Sequence, residues 1–267
     1  MRPDSCFRLA VYQCDAAGCD KAERLSRLER VMAKLGRGGA DLVVCPELYM
    51  SGYNVPEQLA GLSEPADGPF AHAVGELAGH WDMAVVYGYP EEVGARRFNS
   101  ALAIGRDGRK LANHRKLALP PGAEASVFAS GAALDLFDLG PFRAALLVCY
   151  EAEFPEAVRA VAMAGADLVV VATALSGKWG VVSERMIPTR AVENGVFVAY
   201  ADHAGREGDL SYFGGSCIVA PDGCDLARAG REEEVIVADL HPGAVAAVRA
   251  ELPYLADCPA LIRLLSP

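Results

Sequence analysis

Short, strongly apolar runs rich in β-branched residues recur along the whole chain, each giving way to a polar turn or to helical periodicity. This alternation restricts the possible folds more than any other feature. Residues 7–13, 41–45, 83–89, 100–105, 144–149, 167–172, 196–201, 216–220 and 235–240 read as strands. The clearest helix covers about 20–35. Asp20 suits its N-cap, Leu25, Leu28, Val31, Met32 and Leu35 form one apolar face, and Gly36 supplies the stop. Further helices are expected over 68–78, over 155–164, where Pro155 suits the first turn, and over 183–194. Strands followed by helices favour a layered α/β sandwich. The one stretch with linker composition, 118–131 (ALPPGAEASVFASG), lies too deep in the alternation to divide the chain, so residues 1–267 read as a single domain.

Composition excludes several classes of function. The chain carries 35 Asp and Glu against 25 Lys and Arg, a formal net charge of -10. A polyanion or an anionic membrane surface is therefore repelled overall, and no basic run makes a local exception. The N-terminal stretch MRPDSCFRLAVYQC lacks a secretory apolar region, and no segment reaches the roughly 18 uninterrupted apolar residues of a membrane helix. A cytoplasmic location follows as the expectation. In that reducing setting the eight cysteines should mostly be small buried hydrophobes. With no CxxC pair and five scattered histidines, no metal site is expected.

Three polar sites stand at strand ends. Glu47 closes VVCPE, and His114, Arg115 and Lys116 form the start of HRKLALP. Taken singly, these read as a surface carboxylate and a solvated basic turn. Cys149 is different, because ALLVCYEAEFPE places a thiol where a buried parallel strand runs out into an acid-rich turn. Such a turn aims the side chain out of the sheet, and a helix starting near Pro155 favours a thiolate there.

Together, PELYMSGYN (46–54), HRKLALP (114–120) and CYEAEFPE (149–156) resemble the three signature blocks of the carbon-nitrogen hydrolase (nitrilase) superfamily. The order Glu, Lys, Cys and the separations of 69 and then 33 residues fit as well, and the resemblance runs from about residue 7 to 240. It implies a four-layer α-β-β-α sandwich, no cofactor or metal, and association as a homodimer or larger oligomer. Carried onto this sequence, Glu47 is the general base, Lys116 the cationic stabiliser and Cys149 the nucleophile. Glu124, four residues before the F-x-x-G turn of Phe128 to Gly131, takes the role of the second glutamate. The implied reaction splits a small amide into acid and ammonia through a thioester, with the Tyr150 N–H and Lys116 as oxyanion donors. Nitrile hydrolysis through a thioimidate, N-carbamoyl amide hydrolysis and a catalytically dead binding protein are the alternatives.

VVYGYPEE, FNSALAI and RAVENGVFVAYAD are most similar to bacterial amidases of the 5-aminopentanamidase and stereoselective amidase type. Members more often have Asp at the position of Glu151, Thr-His at Leu117 and Ala118, and Asn at Asp202. Tyr53 and Trp179 stand where relatives line the substrate pocket, although ordinary packing explains them equally well. Acids at Glu151, Glu153 and Asp202 would favour a cationic amide if they face the pocket mouth; the alternative is that they face solvent or pair with Arg190 and Arg206. Arg190, Glu193 and Asn194, at helical spacing, read as a structural network beside the site.

Overall fold

The computed structural model describes residues 6–18, 20–55 and 57–265. The first half of the chain gives β1 (Phe7–Gln13), α1 (Lys21–Arg37), β2 (Leu42–Val44), α2 (Leu59–Leu62), α3 (Pro69–Trp81), β3 (Ala84–Val93), β4 (Arg96–Ile104), β5 (Lys110–Arg115) and α4 (Ala123–Val127). The second half gives β6 (Leu136–Leu139), β7 (Phe142–Val148), α5 (Pro155–Met163), β8 (Leu168–Ala172), α6 (Ile187–Asn194) and β9 (Phe197–Ala201). A small hairpin, β10 (Arg206–Glu207) with β11 (Leu210–Ser211), precedes β12 (Cys217–Val219), β13 (Asp225–Arg228) and β14 (Glu234–Leu240), and α7 (Gly243–Glu251) and α8 (Tyr254–Leu265) follow.

These strands make two six-stranded sheets, ordered β14-β1-β2-β3-β4-β5 and β13-β12-β9-β8-β7-β6. Each has three parallel strands at its centre, β1-β2-β3 and β7-β8-β9, with antiparallel partners outside. Alternate residues of the two sheets, among them Leu9, Val44, Val86, Leu146, Val170 and Ala199, share one core between the sheets. The opposite faces take up helices. Leu28 and Met32 of α1 and Phe70 and Val74 of α3 cover the first sheet, while Val158 of α5 and Ile187 and Ala191 of α6 cover the second. The result is the α-β-β-α layering.

Local chemistry explains most boundaries. Asp20 caps α1 as expected, its Oδ1 accepting the Glu23 N–H at 2.9 Å. Gly36, however, does not end the helix, which continues to Arg37 and stops at Gly38. A Cβ on Gly36 would lie 2.8 Å from the Trp81 ring, so this glycine allows α1 and α3 to approach rather than breaking the helix. The helix expected over 183–194 opens with a wider π turn, Val182–Met186, before α6. Pro188 has no N–H to offer there, which removes one ordinary helical bond.

Several elements lie outside the expected set. The region read as a linker holds α4, and the basic turn at His114 and Arg115 is the end of β5. β5 is an edge strand with one solvated face, so its sequence (KLANHR) lacks the apolar run that signals a central strand. Of the described cysteines only Cys14, Cys45 and Cys217 are buried, and Cys224 is exposed; Cys19 lies outside the described residues. No described helix is long and apolar enough to cross a membrane.

Candidate active site

The central parallel strands of both sheets, and β5 beyond them, end on the same side of the sandwich, where loops converge. Glu47 follows β2, Lys116 follows β5 directly, and Cys149 follows β7 directly. Both turns are sharp. Leu48, beside Glu47, has φ +48°, and Cys149 has φ +49°, a left-handed conformation that costs a residue other than glycine about 1–2 kcal/mol. Gly88 on β3 makes room for the first turn, because a Cβ there would meet the Leu48 nitrogen at 2.3 Å and the Glu47 Cα at 2.6 Å.

Lys116 and the two glutamates form one buried cluster. Lys116 and Glu47 are fully buried and Glu124 nearly so. The Lys116 Nζ stands 2.8 Å from Glu47 Oε1 and 2.6 Å from Glu124 Oε1. Asn99, on β4, donates both of its N–H bonds into the same pair of oxygens, at 2.6 Å to Glu47 and 3.0 Å to Glu124. The Tyr53 hydroxyl donates to Glu124 Oε2 at 2.8 Å. Glu47 Oε2, by contrast, is buried and has no hydrogen-bond partner among the described residues. An acceptor so placed costs about 1–3 kcal/mol unless something else meets it.

The electrostatics fit that arrangement. Burial, with the charge of Glu124, raises the Glu47 pKa above the usual carboxylate range, against the pull of Lys116 and Asn99. Burial alone would depress Lys116, but Glu47, Cys149 and Glu124 outweigh it and hold the ammonium charged. The Cys149 thiol is pushed well up, first by burial and then by the Glu47 charge; Lys116, the Thr173 hydroxyl and the Ala174 N–H act the other way. These influences favour the Cys149 thiol over the thiolate expected from a helix N-terminus. Cys149 opens a separate 3-10 turn over residues 149–153, and α5 begins only at Pro155. One consequence is testable. Glu47→Gln removes a charge that raises the thiol pKa, so its Cys149 should react with iodoacetamide faster than the wild type at pH 7. An unchanged rate would mean that the sulfur does not sense Glu47, and a slower one that proton acceptance by Glu47 outweighs the effect of its charge.

The remaining predicted residues divide. Tyr53 reaches the cluster through Glu124. Tyr150 is partly exposed with its ring edge-on to Phe154, and Trp179 is 54% exposed, which rules out a core-packing role. Glu151 and Asp202 do not stand at a pocket mouth, nor do they pair with Arg190 or Arg206. Glu151 is buried against His114 and two backbone N–H groups. Asp202 is fully buried and its Oδ1 accepts from the Leu175 and His203 N–H groups at 2.7 and 2.9 Å. Burial pushes its pKa well up, so it is in no position to attract a cationic substrate. Of the three acids, only Glu153 keeps partial exposure. Arg190 does tie the turn after Cys149 in place, donating to the carbonyls of Ala152 and Glu153 and to Glu193.

Sequence reasoning missed Asn99, Gly88 and His203. The His203 Nε2 donates to the Glu47 carbonyl at 2.8 Å, and burial holds the ring neutral, its pKa lowered to about 3. Asn99 was within reach, since an amide inside the apolar run FNSALAI has to find partners when the strand is buried.

Residues 8–250 match the carbon-nitrogen hydrolase family model. The chain is 35% identical to an (R)-stereoselective amidase of Pseudomonas sp., over 94% of this chain and 91% of that protein. It is 32% identical to an omega-amidase of Bos taurus, over 94% of each. Among solved structures, a cysteine-to-alanine variant of the amidase from Nesterenkonia sp. AN1 in complex with butyramide superposes with a TM-score of 0.84 at 35% identity, covering 94% of this chain and 97% of that one. With the match running nearly end to end and the fold shared, the chain belongs to the carbon-nitrogen hydrolase family, as an amidase-type member of the nitrilase superfamily.

Proposed function

We propose that the protein hydrolyses a small aliphatic amide to its acid and ammonia, with Cys149 as nucleophile, Glu47 as base and acid, and Lys116 as oxyanion donor. The observation that carries this reading is the orphaned Glu47 Oε2, a buried acceptor left open on a carboxylate whose other oxygen is held by Lys116 and Asn99 and whose charge acts on the Cys149 thiol. In the first step the Cys149 proton passes to Glu47 and the sulfur bonds to the carbonyl carbon, sending an electron pair onto the oxygen. An ammonium has three N–H donors and Lys116 uses two on the glutamates, which leaves one for that oxygen beside the Tyr150 N–H. Collapse of the adduct breaks the C–N bond, and the proton on Glu47 leaves with the amine as ammonia. Water then gives a proton to Glu47 and attacks the thioester, and the departing thiolate recovers the proton. Glu124, bound by Tyr53, Asn99 and Lys116, keeps the lysine aimed.

With Glu151 and Asp202 occupied inside the protein, any preference for a cationic amide rests on Glu153 alone, and uncharged short amides become the leading substrates. Butyramide in a similar structure supports that size class. The test is ammonia release from acetamide, butyramide, 5-aminopentanamide and glutaramate under one set of conditions. Butyramide is expected to exceed glutaramate in kcat/KM. A higher kcat/KM for glutaramate, or no release from any of the four, would overturn the proposal.

The same reading includes a cytoplasmic homodimer formed through the helical layer around α5. Exposed Met163 on α5 and Leu261 and Ile262 on α8 support an apolar contact on that side. A single-chain mass by light scattering would rule the dimer out.

A further inference from the structure

The Glu151 side chain accepts from three donors, more than the Glu47 or Lys116 side chain meets, and all three lie within two residues of Lys116 or Cys149. Glu151 is 1% exposed. Its Oε2 accepts the Val148 N–H at 2.7 Å, and Val148 directly precedes the nucleophile. Its Oε1 accepts the Leu117 N–H at 2.8 Å, and Leu117 directly follows Lys116. The His114 Nε2, two residues before Lys116, lies 3.1 and 2.8 Å from the two oxygens. Lys116 comes from an edge strand of one sheet and Cys149 from a central strand of the other, so no backbone ladder sets the distance between them. One carboxylate does so instead. It also holds a nucleophile turn whose left-handed Cys149 needs support from outside.

We infer that Glu151 is a positioning residue that locks the Lys116 segment to the Cys149 turn and so fixes the ammonium against the reacting carbonyl. This rests on the catalytic reading above. A carboxylate suits the task because it presents an acceptor on each side, one for Val148 and one for Leu117. Glutamine has the same shape but only one acceptor; its NH2 must face one of the two N–H groups, donor against donor. Aspartate keeps both acceptors on a stem one carbon shorter.

The test compares Glu151→Gln and Glu151→Asp with the wild type, using the fastest amide of the four above. For Gln, kcat is expected to fall about thirtyfold, which corresponds to about 2 kcal/mol in the barrier, with KM changed by less than about threefold. Asp should recover to within about fivefold of the wild type. A Gln variant with wild-type kcat, or Gln and Asp variants equally impaired, would overturn the inference, since a residue that merely supports the fold would not separate them. Should Gln fail to fold, Glu151→Asp carries the test, since it keeps both acceptors for the Val148 and Leu117 N–H groups. A folded Asp variant with kcat within about fivefold of the wild type at constant KM supports the inference, and a folded Asp variant whose kcat falls more than about thirtyfold overturns it. A wild type that releases no ammonia from any amide defeats the catalytic reading itself; an active wild type with an equally active Gln variant defeats only the role of Glu151.

Discussion

Cys149→Ala is expected to lower amide turnover at least about ten-thousandfold while leaving the fold in place, because Cys149 is the one thiol among the described residues whose charge acts on Lys116. The other buried thiols are poor substitutes. Cys45 and Cys217 are both fully buried and both have pKa values raised by that burial. The structural cost is small. Cys149 keeps partial exposure as a residue even though its sulfur is buried, and its replacement removes one sulfur, so stability should stay within about 1 kcal/mol. A melting temperature within about 4 °C of the wild type, by circular dichroism, would show that the lost activity is chemical. A similar protein has been crystallised with the same kind of substitution.

Lys116→Met should act on both rate and stability, and the two effects can be separated. Loss of the oxyanion donor alone predicts a fall in acylation rate of at least about a hundredfold, or about 2.7 kcal/mol. The substitution also leaves Glu47 and Glu124 facing each other, buried, with no cation between them. Breaking one side of a buried ion pair costs about 3–5 kcal/mol unless the orphaned charge is neutralised. Here neutralisation is by proton uptake. Without Lys116, which now pulls the Glu47 pKa down, the folded-state pKa of the pair rises further above that of the unfolded chain. A carboxylate whose folded pKa is raised favours the folded state at low pH and opposes it once both states ionise. The variant should therefore lose more melting temperature at pH 8 than at pH 5. Near-normal activity, or a loss of stability that grows toward acid pH, would contradict the placement of Lys116 between two glutamates.

How legible the site was depended on where each residue's partners come from. Glu47, Lys116 and Cys149 each stand at the end of a strand, in a block whose order and spacing carry the family resemblance, so their convergence could be expected from the chain alone. The central strands and α1 were equally plain, since apolar runs and an N-cap are local features. β5 was hidden because an edge strand with one wet face has no such run. Glu151 and Asp202 were misplaced for a different reason. A carboxylate in a sequence looks like surface charge, yet each of these is buried and held by one local backbone N–H and by one brought from tens of residues away, Leu117 for Glu151 and Leu175 for Asp202. Gly88 shows the same limit. Its need for no side chain comes from the Glu47 turn against it, and nothing within β3 itself announces that contact.

The central claim is that amide carbon is transferred to one sulfur. Mass spectrometry of the wild type, quenched in acid during turnover of butyramide and then digested, should show an added butyryl group on the peptide that contains Cys149, and the adduct should vanish in Cys149→Ala. The same mass on a peptide containing Cys45 or Cys217, or turnover that persists in Cys149→Ala, would contradict the account.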